Sequence, residues 1–391
     1  MTMNRRDFLS LSAAFGSLGA AYSPLRALGV GLPGQEWPSL EGRTVINALG
    51  GITNPNLRLV DNSEDSGSIL LAQGESLDPR AVEDLVASGS TAVNVTMGYV
   101  AGPMDPFEHS VADVLRWNRL VGRTSELVKV RKAEDITQAQ ADGKVGVIFG
   151  FQNAAMMEEG AYRADTFADL GVRIIQLTYN VRNSLGDGSM VPENNGLTAL
   201  GHEVLERLQG RNILVDLSHS GERTCLDAIE ASEGPISITH TGCRALADLP
   251  RNKTDEELRL LADKGGVAGI YFMPFLQVSG QPDAEDVVLH IEHAINICGE
   301  DHVGIGTDGG TTAVDDMDAF RAVVREEVRR RAEAGIGATG ESADVVPMIP
   351  DLRGPTQFRK LAGLLRARGH SWDRVEKVLG GNFLRLMHEV W

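Results

Sequence analysis

A chain of 391 residues, 42% hydrophobic and 23% charged, has the length for one large or two small folded domains and ample apolar content for a core. Its net charge of −17 lacks the basic footprint that nucleic acid or an anionic membrane surface requires, so neither is expected as a partner. The three cysteines, Cys225, Cys243 and Cys298, form no Cys-x-x-Cys pair, which excludes cysteine zinc sites and leaves buried free thiols in helical stretches as the expectation.

The chain opens on MTMNRRDFLSLSAAFGSLGAAYSPLRA, in which Arg5 and Arg6 stand directly before an apolar run from Phe8 to Ala21. That run is too short to span a membrane and has a basic side before it, the layout of a twin-arginine export signal. Residues 1–30 are therefore expected to be a signal peptide, with the periplasm as destination, and residues 31–391 a single domain.

From residue 44 onward eight short β-branched runs alternate with amphipathic segments. The runs are TVINALG (44), TAVNVTMG (91), KVGVIFGFQ (144), VRIIQLTYN (172), NILVDLSH (212), PISITHT (235), GVAGIYFM (266) and HVGIGTDGG (302). Between them lie segments such as DPRAVEDLVASG, LTALGHEVLERLQG and TDEELRLLADKG. Apolar strands separated by helices specify a parallel sheet covered by helices, and eight such units specify an α/β fold of the (β/α)8 TIM barrel type, with no membrane span in the mature chain. In such barrels the chemistry gathers at the C-terminal strand ends. Those ends are Leu49 and Gly51, Tyr99, Gln152, Tyr179 and Asn180, His219, His240, Met273 and Asp308, and an open doubly wound sheet would keep most of them on one side.

Residues 311–350 interrupt the alternation with a charged stretch, VVREEVRRRAEAG, expected to be a solvated helix, and a Gly- and Pro-rich loop. The tail WDRVEKVLGGNFLRLMHEVW returns to amphipathic helix and is expected to close the barrel.

His219 and His240, at the mouths of adjacent strands, are placed to share one zinc ion. Asp308, at the end of the eighth strand, is the only acid expected at a strand end, as a third ligand or as a base that takes a proton from water. His109 reads as a helix-face residue, the acids of residues 60–68 as a solvated loop, and His290 and His293 as packing against the barrel wall.

Four blocks in order, GLTALGHEVLERLQGRNILVDLSHSGERT, PISITHTGCRALADLPRNKTDEELRLLADKGGVAGIYF, HIEHAINICGEDHVGIGTDGG and VLGGNFLRL, resemble the membrane (renal) dipeptidase family, a branch of the amidohydrolase barrels. The resemblance implies two zinc ions, cleavage of dipeptides and related amides by a metal-bridging hydroxide, and often a homodimer. Carried over residue by residue, it makes His219 and His240 the histidines of the second zinc, Asp308 the aspartate that shuttles protons, and Arg251 the arginine that holds the substrate carboxylate.

Four positions depart from that pattern. Leu49 and Gly51 stand where the family's His-x-Asp pair binds the first zinc, and Gln152 stands where a glutamate bridges both ions. Tyr179 stands where a histidine steadies the transition state. A neutral amide is a weak zinc ligand and neither Leu nor Gly side chains ligate at all. The expectation is therefore an exported hydrolase with at most one zinc ion, for a dipeptide or a small amide or ester bearing a free carboxylate, with Tyr179 and Asn180 contacting substrate. The alternative is a barrel that binds a short peptide or amino-acid-like ligand without turnover.

Overall fold

Parallel strands close on themselves around a filled interior. The computed structural model describes residues 36–59, 76–333 and 337–391, of which Trp37–Trp391 belong to one compact unit. The strands are β1 (Ile46–Gly50), β2 (Ala92–Met97), β3 (Leu127–Lys129), β4 (Val145–Phe151), β5 (Ile174–Gln176), β6 (Leu214–Asp216), β7 (Ser237–Thr241), β8 (Val267–Ile270) and β9 (Val303–Ile305). Their order is β1-β2-β4-β5-β6-β7-β8-β9, with β3 a short extra strand paired to β4. The expected (β/α)8 barrel is present, and all eight runs read from the sequence form its staves. The unexpected β3 is too short and too polar to stand out beside its neighbours.

The seam between the first and last staves is held by more than strand pairing. Asp308 N–H donates to Leu49 O (2.9 Å) and Gly51 N–H to Gly309 O (3.2 Å). The Asn47 side chain adds a pair of bonds, accepting from Thr307 N (2.8 Å) and donating to Thr307 Oγ1 (2.8 Å). A barrel has no open edge to satisfy, so these bonds complete the ladder where regular pairing thins.

Helices α1 (Pro79–Ala87), α2 (Pro106–Arg123), α3 (Ala133–Ala141), α4 (Arg163–Asp169), α5 (Ala199–Gly210), α6 (Glu222–Ala231), α7 (Asp255–Asp263) and α8 (Ala284–Cys298) connect the strands. Their starts are written in the sequence: Asp78 and Asp105 cap helices whose first residue is proline, and Thr254 with Glu257 forms a reciprocal capping box. Four more follow β9: α9 (Met317–Glu333), α10 (Gln357–Ala367), α11 (Trp372–Glu376) and α12 (Asn382–Val390).

Alternation along the strands stacks the interior in layers. The lowest holds Ile46, Ala48, Ala92, Ile148, Ile174, Leu214 and Val267, and it packs on Phe383, Leu386 and Met387 of α12. The tail thus closes the barrel's N-terminal end as expected. Gly304 permits this fit, because a Cβ there would lie 2.5 Å from the Phe383 ring. Two residues up the strands the interior turns polar, with Asn94, Gln176 and Asp216 all buried. With one end plugged, access is from the C-terminal strand ends. Among the described residues no helix is long and apolar enough to cross a membrane. The expected export signal of residues 1–30 and the acids of residues 60–68 lie outside the described residues.

Candidate active site

A cavity of about 370 Å³ opens at the C-terminal ends of the strands. Of the residues placed there by sequence, Tyr179, Asn180, His219, Arg251, Met273 and Asp308 line it. His240 is fully buried behind His219, with ring centroids 5.0 Å apart. Leu49 and Gln152 are buried and line no part of the cavity, and Gln152 spends its amide on Thr96 Oγ1 (2.8 Å). Tyr99 turns away, its hydroxyl donating to Gly102 O (2.9 Å).

The expectation that Asp308 is the only acid at a strand end is wrong. Asp216 ends β6, fully enclosed, and accepts from Ser218 N (3.0 Å), Ser218 Oγ (2.5 Å), Thr239 N (2.9 Å) and Thr239 Oγ1 (2.6 Å). Burial pushes its carboxyl upward while these bonds pull it down. Strand alternation places Asp216 on the same inward face as Ser218, two residues on, but nothing local announces the donors that surround it.

Asp216 also decides the tautomer of His240. The single Thr239 hydroxyl proton goes to Asp216, so the 3.0 Å contact between Thr239 Oγ1 and His240 Nδ1 has Nδ1–H as donor. His240 Nε2 is left as a buried lone pair with no hydrogen-bond partner. At His219 the same logic starts from Arg251, which has only donors. Arg251 Nη2 lies 3.1 Å from His219 Nε2, so Nε2 accepts and Nδ1–H donates to Asn180 Oδ1 (2.7 Å). Burial first, and then the Arg251 charge, hold both imidazoles well below their ordinary range, so both are neutral.

Arg251 is buried and anchored by Nη1 to Ser218 O (2.6 Å). Asp308 has a left-handed backbone (φ 54°), a region where Asp and Asn are the side chains best tolerated. Thr307 Oγ1 holds this turn by donating to Gly309 O (2.9 Å). Enclosure pushes the Asp308 carboxyl up to about 6, against the pull of Arg251 and Arg331 and with the push of Asp216. At neutral pH it is an ionised base close to its point of protonation.

The segment expected to be a solvated helix roofs the site. Helix α9 does carry surface ion pairs, such as Arg329 with Glu326 (2.5 Å) and Glu333 (2.6 Å). Its other face, Phe320, Val324, Val328 and Arg331, lines the cavity with Ala338, Glu341 and Val345. Spacings of four, four and three residues are one helical stripe, a signal masked by the charges between them. Arg331, Glu341, Arg353 and Asn54 are cavity residues that the sequence reading missed.

The cysteines are all buried and free, although Cys243 sits on an extended turn bridged to Lys253 and not in a helix. His290 accepts from Cys243 N (2.9 Å) at the barrel wall, and His293 pairs with Asp255 (2.7 Å).

Residues 104–336 match the family model of the membrane dipeptidases, peptidase family M19. The chain belongs to the membrane dipeptidase family. It is 27% identical over 301 residues to an uncharacterized protein in the pqqA 5′ region of Klebsiella pneumoniae, covering 74% of this chain and 98% of that one. It is 26% identical over 290 residues to dipeptidase tcpJ of Claviceps purpurea, covering 72% of this chain and 60% of that relative. A crystal structure of an amidohydrolase from Pseudomonas aeruginosa superimposes with a TM-score of 0.72 at 30% identity, covering 89% of this chain and 97% of the other.

Members of this family are metal-dependent hydrolases, generally with zinc, and the residues of this barrel can be tested against that need. A two-ion centre does not fit. Leu49, Gly51 and Gln152 offer no strong ligand, and among the described residues no three His, Cys, Asp or Glu side chains converge as a metal's ligands would. A single ion fits poorly as well. His240 Nε2 has an unshared lone pair that could ligate, but His219 Nε2 is engaged by a guanidinium whose positive charge opposes a cation beside it.

Proposed function

We propose that this chain is a hydrolase of the dipeptidase kind, acting on a dipeptide or small amide or ester with a free carboxylate, with Asp308 as its base and at most one zinc ion. The observation that carries the reading is the convergence of Asp308, Arg251 and Tyr179 on one roofed cavity at the open end of the barrel. Arg251 would hold the substrate carboxylate, and Asn180 would keep the His219 ring in place beneath it. Asp308 would take a proton from a water molecule whose oxygen adds to the scissile carbonyl carbon. The same proton would then pass to the leaving nitrogen or oxygen as the C–N or C–O bond breaks, returning Asp308 to its carboxylate. No step is routed through a metal, because the ligand set does not fit a two-ion centre and fits a single ion poorly.

A second reading, a barrel that binds such a ligand without turning it over, is favoured by the Arg251–His219 contact, which occupies a nitrogen the family uses for chemistry. Export through the twin-arginine pathway to the periplasm, and a homodimer, belong to the same proposal through the sequence signal and the family resemblance.

Hydrolysis of a panel of dipeptides and N-acyl amino acids, with and without chelator, tests the reading. Slow turnover that survives chelation and falls by about 100-fold or more in Asp308→Asn supports it. Robust turnover that is insensitive to Asp308→Asn overturns it, and tight binding with no turnover selects the second reading.

A further inference from the structure

Nine of the seventeen residues of α9 are charged, yet the stripe it turns to the cavity carries Phe320, Val324 and Val328. In a helix that serves only to pack, such a stripe is covered by other protein side chains. Here the cover is partial. Phe320 and Val324 pack with Val346 and Met348 into a small apolar cluster of the roof, against which Val328 rests. Met273 and Phe275, beyond β8, belong to the separate core of the barrel. The cavity is lined by apolar side chains of both clusters, with Val345 added from the loop after α9, and the two clusters do not merge.

The polar groups that the proposed chemistry uses, Arg251 and Asp308, come from the loops at the strand ends and not from α9. The other two guanidinium groups that line the cavity are already engaged. Arg331 Nη2 lies 2.9 Å from Glu341 Oε1, and Arg353 Nε donates to Thr312 O (2.8 Å). A second anionic group on the ligand would therefore compete with bonds already made, whereas an apolar group would cover valines that are otherwise wet. The volume, about 370 Å³, is at the small end of the range for small-molecule sites, so the ligand is of dipeptide size.

We propose that the site takes carboxylates joined through an amide or ester to a bulky apolar acyl group, branched aliphatic or aromatic, and that Val324, Val328 and Val345 select that group. This rests on the reading of the cavity as a site for a carboxylate-bearing amide or ester, and it adds the chemistry of the other end. With the carboxylate at Arg251 and the carbonyl at Asp308, the acyl group is the part of the ligand left to the roof. An acyl chain lodged there removes apolar surface of roof, barrel and ligand from water together. A ligand as small as glycylglycine would leave the stripe wet and gain nothing from it.

The test is calorimetric binding of acetyl-, butanoyl-, hexanoyl- and phenylacetylglycine, which share one carboxylate and differ only in the acyl group. Affinity should rise about threefold per added methylene from acetyl to hexanoyl, with a more negative heat-capacity change at each step. Val328→Phe, which fills the space, should cut the ratio of hexanoyl to acetyl affinity about tenfold, and Val324→Thr with Val328→Thr, which keeps the shape, should cut it as well. Circular dichroism checks that the variants are folded, and the chain-length series on the unmodified protein needs no variant at all. A flat series, or a gain with chain length that Val328→Phe leaves intact, would overturn the proposal. Arg251→Met separates it from the reading it rests on, because that change should weaken every member of the series alike. A flat series with that uniform loss removes the apolar pocket and leaves the carboxylate site. A chain-length gain that depends on Val328 but not on Arg251 upholds the pocket and removes the carboxylate reading.

Discussion

Asp308→Asn should make the protein more stable, and by an amount that depends on pH. The carboxyl is raised from an ordinary 3.8 to about 6 mainly by enclosure, so its ionised form is less favourable in the folded chain than in the unfolded one. A shift of this size is worth about 3 kcal/mol. The direction follows from proton binding: between pH 3.8 and 6 the folded state holds more protons than the unfolded state, so lowering pH through that window stabilises the fold. Above it, at pH 7, the full cost is present. Asparagine has the same shape, no charge, and tolerates the left-handed backbone that Asp308 adopts, so it should remove the cost without adding strain. The expected gain is about 3 kcal/mol at pH 7, shrinking to roughly 1 kcal/mol at pH 4.5, where most of the wild-type carboxyl is already protonated in the fold. Urea unfolding followed by tryptophan fluorescence at the two pH values measures both numbers. A gain that is the same at both, or a loss at pH 7, would show that the charge on Asp308 is compensated in a way the cavity does not reveal.

Further expectations follow from the same groups. The kcat/KM profile of the unmodified protein should have an acid limb near the Asp308 value of about 6, facing Arg251, Arg331 and Asp216, and the residual activity of Asp308→Asn should lack that limb. Combined Leu49→His, Gly51→Asp and Gln152→Glu should raise zinc content measured by mass spectrometry. A Cβ at Gly51 meets nothing closer than Thr53 at 3.7 Å, so the new aspartate has room; unchanged content would show that Arg251 alone keeps metal out. Arg5→Lys with Arg6→Lys should leave the protein in the cytoplasm on fractionation, and normal export of that variant would refute the twin-arginine reading.

The barrel was legible because its physics is periodic. Eight β-branched runs, seven of them ending in Gly, a polar residue or a histidine and one in Met273, announce staves and strand ends together, and Asp-Pro and Thr-x-x-Glu starts announce the helices between them. His219, Asn180, Arg251 and Asp308 were found because a strand end or a family block marks each of them. Arg331 carried no such mark. Its partner Glu341 lies 10 residues after it in the chain, beyond the end of its helix, and that helix is rich enough in Arg and Glu to read as solvent-facing. Asp216 was overlooked for the opposite reason, since a lone acid inside an apolar run gives no sign of the four donors that fold around it. Contacts between distant segments are the part of a site that local pattern cannot supply.

We propose that this dipeptidase-family barrel has exchanged a two-zinc centre for a site built on Asp308, Arg251 and Tyr179. Zinc titration of the mature, chelator-treated protein by calorimetry, with the bound stoichiometry read directly, tests it most plainly. The expected result is no more than one equivalent per chain, weakly held and bound more tightly once Arg251→Met frees His219 Nε2. Two equivalents held tightly by the unmodified protein would contradict it.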